Sequence, residues 1–562
     1  TQSRSSAASD VYKRQILDGQ KKEWRRAYGK YGVDGLISTA FGQKSPNSVT
    51  QNNSHRQYLT GQLIAEYKGV FGKHDINVLG GWSAEENLYE DLQGKRTNIV
   101  GNELPALNLG DTDGWSNAAD ENEWALLSGF MRASYAFAAK YLVEVNFRAD
   151  ASSRFSKKNR WGVFPSASVG WRITEEKFMQ NQHIFDNLKL RASWGQLGNQ
   201  NGLGLYDHIA SYNINGYYPF KSELGQWAVI SKLPSESRTW ETVEVKNIAV
   251  DMAFLRNRLT VTGEYFIKKN KDMLVSIEIP SIIGIDVPTG NYGELKVKGW
   301  EVTVGWQDKI KDFSYGARFN LSDQKDKLVD YGVEYNGFVA GVNQKVQGYS
   351  LGSIFGYRTD GYFTSEEEVK NSAAFNKAIT GVGDIKYIDK DGDGKISAPN
   401  DLEYLGTTTP RYTFGLNLTA AWKGFDLGVL LQGVGKRNFY LSSEVMNPYY
   451  ATWNNFSYKM HNDYWTPENP NAAFPRYYAG ANHNYQISDH WLQNAAYVRL
   501  KNLQLGYTIS PKLTKSWGIQ RLRVYFSGDN LCEYSKLNDN FDPELSDICL
   551  LYTSPSPRDL ST

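Results

Sequence analysis

The 562 residues carry 62 Lys plus Arg against 61 Asp plus Glu, a net charge of +1 that excludes the basic stripe of a nucleic-acid binder. Mean hydropathy is −0.52 and no apolar run approaches the ~18 residues of a spanning helix, which excludes a helical membrane protein but not a barrel with alternating strands. Aromatics at 14% and 51 glycines favour strands and turns, and two cysteines, Cys532 and Cys549, are too few for a disulfide framework.

In chain order, residues 1–15, with "SRSSAASDVYKRQ", read as an artefact of sequence assembly, as do residues 548–562 with "LLYTSPSPRDLST". The span 16–547 between them is expected to be one barrel portion with long extracellular loops. Period-2 alternation appears near 58–68, 75–83, 126–137, 141–150, 166–174, 187–195 and 247–255. It sharpens further on. Leu259, Val261, Tyr265 and Ile267 oppose Thr260, Thr262, Glu264 and Lys268. Trp300, Val302, Val304 and Trp306 oppose Glu301, Thr303, Gly305 and Gln307. Phe313, Tyr315, Ala317, Phe319 and Leu321 share a face, as do alternate residues from Tyr412 to Trp422 and from Phe425 to Leu431. Segments near 496–509 and 521–528 close the series of about sixteen strand candidates.

Many of these segments run ~9–11 residues, the length of a tilted spanning strand, and their apolar faces end in Trp, Tyr or Phe, as at a membrane interface. The expected fold class is therefore all-β, a transmembrane antiparallel β-barrel with apolar residues toward lipid and polar residues toward the lumen. A soluble sandwich or propeller with an aromatic core is the alternative. Connections at 138–140 and 423–424 are tight, while 84–125, 196–246, 323–410 and 435–495 are long and polar. Short turns on one rim and long loops on the outer rim are the expected arrangement.

Within the third long connection, "DKDGDGKISAPND" places Asp389, Asp391 and Asp393 at the first, third and fifth positions of a calcium loop, with Gly394 at its sharp turn. Lys395 would add its backbone carbonyl. The twelfth position holds Asn400 where the pattern wants Glu, and Asp401 follows as the displaced candidate. Extended residues rather than helices flank the loop, so the expectation is a structural calcium clip, against an Asp/Gly turn that binds nothing. Seven scattered histidines form no metal-binding pair, no nucleophile motif is present, and "GQLGNQNGLG" lacks the lysine of a phosphate loop. No enzyme is expected. Tyr217, Tyr218, Tyr449, Tyr450 and Trp453 are loop aromatics of the kind that stack on sugars or grip peptide side chains; no substrate contact is assigned.

Six ordered blocks, "SSRFSKKNRWGVFPSASVGWRI" (152–173), "LKLRASWGQLGNQ" (188–200), "WETVEVKNIAVDMAFLRNRLTVTGEYFIKKNKDML" (240–274), "GELKVKGWEVTVGW" (293–306), "GDIKYIDKDGDGKI" (383–396) and "PRYTFGLNLTAAWKGFDLGVLLQGVG" (410–435), closely resemble the SusC/RagA branch of TonB-dependent outer-membrane transporters. The resemblance implies a barrel of roughly twenty-two strands around an N-terminal plug. It further implies a SusD-like surface lipoprotein as lid, energy from TonB–ExbB–ExbD, and import of an oligosaccharide or peptide across the outer membrane of a Gram-negative bacterium. The "DKDGDG" loop is itself a hallmark of that branch. The sequence departs from the family at both ends: no stretch reads as plug or TonB box, and the final barrel strands are missing. A lidless siderophore or vitamin receptor and a surface carbohydrate-binding sandwich are the alternative functions, and a passive porin is a third.

Overall fold

The computed structural model describes residues 46–100, 104–220, 223–276, 282, 289–332, 338–441, 443–449 and 459–544, and the backbone of the short strands at 4–8, 13–25, 30–31 and 37–38. Sixteen strands belong to one large antiparallel sheet, and among the described residues no helix is long and apolar enough to cross a membrane. The chain divides into two compact units: 1–169 with 194–243 and 274–291, and 170–193 with 244–273 and 292–562.

The first unit is built on Ser48–Phe71, His74–Thr97, Ser116–Phe137 and Tyr141–Ser152, paired antiparallel in sequence order. The Arg4–Ala8 and Lys13–Arg25 strands pair along the free edge of the first. Apolar and polar residues alternate as the sequence requires, but exposure is inverted relative to a soluble sheet. Trp82 is 61% and Leu63 57% exposed, and Met131, Tyr135, Val143, Val145 and Phe147 stand open beside them. Ser128 and Asp150, on the opposite face, are 1% and 8% exposed. There Arg148 donates to Asp150 at 2.8 Å and to Ser128 at 3.0 Å, and Ser134 donates to Glu144 at 2.9 Å. Gly129 lies opposite Trp82, where a Cβ would come within 3.3 Å of the ring. An apolar face this continuous is stable only against an apolar medium.

The second unit repeats the rule. Val304, Phe319, Leu416, Leu431 and Leu500 stand in register across five strands, and Thr303, Asn320, Gly415, Gln432 and Arg499 form the neighbouring row on the polar face. Phe313, Trp422, Phe425 and Tyr507 make an aromatic row beside the 423–424 turn, with the Phe425 and Tyr507 rings 4.5 Å apart. Such a row fits the headgroup level of a bilayer. Lys423 and Gly424 have φ of 45° and 95°, and Ala138 and Ala139 in the first unit 51° and 57°. These are left-handed values of the kind tight hairpin turns use, in a two-residue loop at 423–424 and a three-residue loop at 138–140.

In each unit the tight turns gather at one end of the strands and the long connections at the other. The connections are shorter than the alternation suggests. Ser48–Phe71 and His74–Thr97 each run 24 residues and Ser116–Phe137 runs 22, so most of 84–125 is strand. Past the apolar band both faces meet water, so the alternating signal fades while the hydrogen-bond ladder continues. The 323–410 and 435–495 connections are likewise not open loops. Their described residues fold into one packed body whose core includes Ile354, Leu402, Phe439, Val445, Phe474 and Trp491, joined by Leu537.

Candidate functional site

The Asp–Gly loop stands on two short strands of that packed body. Ile385–Tyr387 pairs with Thr359–Tyr362 before it, and Leu402–Thr407 pairs with Ser353–Tyr357 after it. Ile385, Tyr387, Ile396 and Leu402 are buried, which anchors the loop at both feet and at its middle. Between these anchors the ligand atoms of Asp389, Asp391 and Asp393 lie within 4.8 Å of one another. Gly392 and Gly394, with φ of 77° and 82°, let the chain fold back on Asp389, whose two oxygens accept their N–H groups at 2.7 and 2.8 Å. Donation from Gly394 first, and then Gly392, holds the Asp389 carboxyl below its ordinary value. Asp393 accepts from the Lys395 N–H at 2.8 Å. Asp391 accepts from the Asn400 side chain at 2.8 Å, so the residue at the twelfth position joins the cluster as a donor.

Asp401 is placed elsewhere. It is 1% exposed, and its two oxygens accept the N–H groups of Lys390 and Ser397, each at 2.7 Å. It closes the loop from beneath and does not stand among the three converging carboxylates. The donor set of those three is hard anionic oxygen on an exposed loop, which fits calcium better than a soft or borderline metal.

Asp384, next to this loop, is a fully buried node that the reading of the residues did not single out. It accepts from Gly381 N, Tyr478 Oη, His483 Nε2 and Asn484 Nδ2 at 2.8–3.0 Å. Three of these partners, Tyr478, His483 and Asn484, tie the loop to the 476–485 segment. A lone aspartate leading into the apolar Ile385 and Tyr387 was the only available signal. His461 is buried against Val445 O, at 2.8 Å, and His490 bonds Tyr362 Oη and Ala473 O. Of the loop aromatics, Tyr217 and Tyr218 are exposed on the Ser211–Phe220 hairpin strand and Tyr449 packs on Tyr477; Tyr450 and Trp453 lie outside the described residues.

At the tight-turn end of the second unit, the polar face lines an open concavity of about 1250 Å³ bordered by Arg258, Thr303, Asp308, Arg318, Asn417 and Gln504, among others. Arg258 pairs with Asp308 at 3.1 Å. This face offers hydrogen bonds and charge to water or solute, opposite the apolar face.

The family described as "TonB dependent receptor-like, beta-barrel" matches residues 7–531. TonB-dependent receptor P26 of Formosa agariphila is 30% identical over 500 residues, covering 86% of this chain and 49% of that protein. TonB-dependent receptor SusC of Bacteroides thetaiotaomicron is 28% identical over 455 residues, 77% of this chain and 42% of its own length. Among solved structures, one described as the RagAB peptide transporter superposes with a TM-score of 0.78 at 22% identity, over 94% of this chain and 56% of that one. That likeness is one of fold. The chain thus spans about half the length of the curated relatives it matches.

Proposed function

The chain belongs to the TonB-dependent receptor β-barrel family and is an outer-membrane protein of a Gram-negative bacterium; from that premise we propose that it forms barrel wall and outer loops of a SusC/RagA-type nutrient importer. The cargo in this reading is an oligosaccharide or a peptide. The observation that carries it is the pairing of an exposed apolar face with a polar face of in-register Thr303, Asn320, Gln432 and Arg499, a wall with lipid on one side and solute on the other. The packed loop body beside it suits a folded partner, here a SusD-like surface lipoprotein acting as lid, better than a free-moving loop would. Energy coupling through TonB–ExbB–ExbD is part of the same reading, supported by the family match. No covalent step on the cargo is part of the reading.

Asp389, Asp391 and Asp393 would hold a calcium ion that stiffens the 383–406 segment, with the Lys395 carbonyl as a further oxygen and Asp401 setting the shape of the loop. The mutual repulsion of three carboxylates is what a dication relieves.

Uptake of fluorescently labelled oligosaccharides and peptides by cells carrying and lacking the gene tests the import reading. Gene-dependent uptake that stops when the proton-motive force is collapsed is the expected result. Gene-dependent uptake that continues without it would mean a passive pore.

A further inference from the structure

Three strands of the first unit build a chemically distinct surface where they rise past the apolar band. The polar face carries cross-strand rows two residues apart, about 6.6–6.8 Å along the strands. From the band outward they read Thr60–Glu85–Leu126, Tyr58–Asn87–Trp124, Arg56–Tyr89–Asn122 and Ser54–Asp91–Asp120. Tyr58 and Trp124 have ring centroids 6.1 Å apart at 52°, and the Tyr58 hydroxyl donates to Glu85 at 2.6 Å. The Arg56 guanidinium lies 5.0 Å from the centre of the Tyr89 ring, and Arg154 lies 5.8 Å from that of Trp124. Tyr58, Tyr89 and Trp124 are half-buried, so each ring is fixed by neighbours while part of it stays open.

We propose that this surface, centred on Tyr58, Tyr89 and Trp124 with Asn87 buried beneath them, is a binding site for a neutral oligosaccharide; the proposal rests on the import reading and names its cargo class. A pyranose ring offers an apolar C–H face and a rim of hydroxyls, each at once donor and acceptor. Rigid aromatic platforms interleaved with amide, carboxylate and guanidinium groups match both features. A peptide is served less well. Its backbone seeks regular N–H and C=O partners, but those of these strands are consumed by pairing with their neighbours, leaving only side chains to recognise a ligand. An anionic chain is disfavoured by Glu85, Asp91 and Asp120, two of which face one another in the outermost row. The same carboxylates accept hydroxyl donors.

The test uses the full-length protein purified in detergent. Calorimetry is run with maltohexaose, cellohexaose, laminarihexaose, xylohexaose and fructohexaose, and with a mixed-sequence decapeptide. At least one neutral hexasaccharide should bind, and Trp124→Ala should weaken it by about tenfold or more, the loss expected of an aromatic anchor. Trp124→Phe should recover most of the affinity, and Glu86→Gln, on the opposite face, should bind as the wild type does. Heat-modifiable migration on gels verifies that each variant is a folded barrel. Binding of none of the saccharides, or equal binding by folded Trp124→Ala, overturns the proposal. Decapeptide binding that depends on Trp124 overturns the sugar assignment alone. Energy-dependent uptake that survives in Trp124→Ala cells leaves the import reading standing without this site, whereas its absence from wild-type cells removes the import reading itself.

Discussion

Placing a charge at Val304 tests the facing assignment most directly. Val304 stands in register with Phe319, and through it with Leu416, on the apolar face. The face begins at Phe313, in the aromatic row beside the tight turn, and continues to Leu321. Eight steps at about 3.3 Å give roughly 26 Å of strand, and a tilt of about 40° reduces this to ~20 Å of height, close to the ~25 Å apolar band of an outer-membrane barrel. Phe319, and Val304 beside it, lie near three quarters of that path, inside the hydrocarbon and somewhat outward of its centre. Val304→Arg should therefore cost close to the lower end of the 2–4 kcal/mol for arginine at the midplane, about 2 kcal/mol. Thr303 points the other way, into the polar concavity with Arg318 and Asn417. Thr303→Arg meets water there and should cost less than about 1 kcal/mol. Urea unfolding of the full-length protein in lipid vesicles, followed by tryptophan fluorescence, measures both. Equal costs, or a larger cost for Thr303→Arg, would refute the assignment of lipid and lumen faces.

Labelling of intact cells checks the rims: a cysteine at Lys395 should react with an impermeant maleimide from outside and one at Lys423 should not, and the reverse result would invert the topology. Calorimetry of the purified full-length protein should show calcium binding on the order of 10⁻⁴–10⁻³ M, lost in Asp391→Ala; no heat at saturating calcium would leave Asp389, Asp391 and Asp393 as a turn held by its own N–H groups. Acid should loosen the packed loop body. Burial holds the His461 and His490 imidazoles below the ordinary histidine value. The unfolded segment then takes up protons first, so stability is full above about pH 6.5 and is lost as pH falls through the depressed values. Hydrogen exchange across 459–496, corrected for its intrinsic rate, should quicken between about pH 7.5 and 5.5; unchanged exchange would show that these two rings do not couple to the fold.

Much of the wall could be read directly from the residues. Alternation around Trp300–Trp306 and Phe313–Leu321 determines which side chains share a face, because successive residues of a strand point to opposite sides whatever they pair with. The short "AAK" and "KG" connections determine hairpins for the same local reason. The spacing of Asp389, Asp391 and Asp393 brings their carboxylates together, since five residues curled around two glycines have nowhere else to put them.

Tertiary structure decided the rest. Strands of 22–24 residues outlast the hydrophobic signal because their ladder bonds come from neighbours, not from their own composition. Asp401 reads as a ligand by position, yet burial turns it toward the N–H groups of Lys390 and Ser397, where a charge removed from water must find donors. Asp384 acquires its role only when the 476–485 segment, about a hundred residues later, folds over it. Tyr58, Asn87 and Trp124 mean little apart; cross-strand register alone sets them side by side, and register depends on the pairing of whole strands rather than on any one of them.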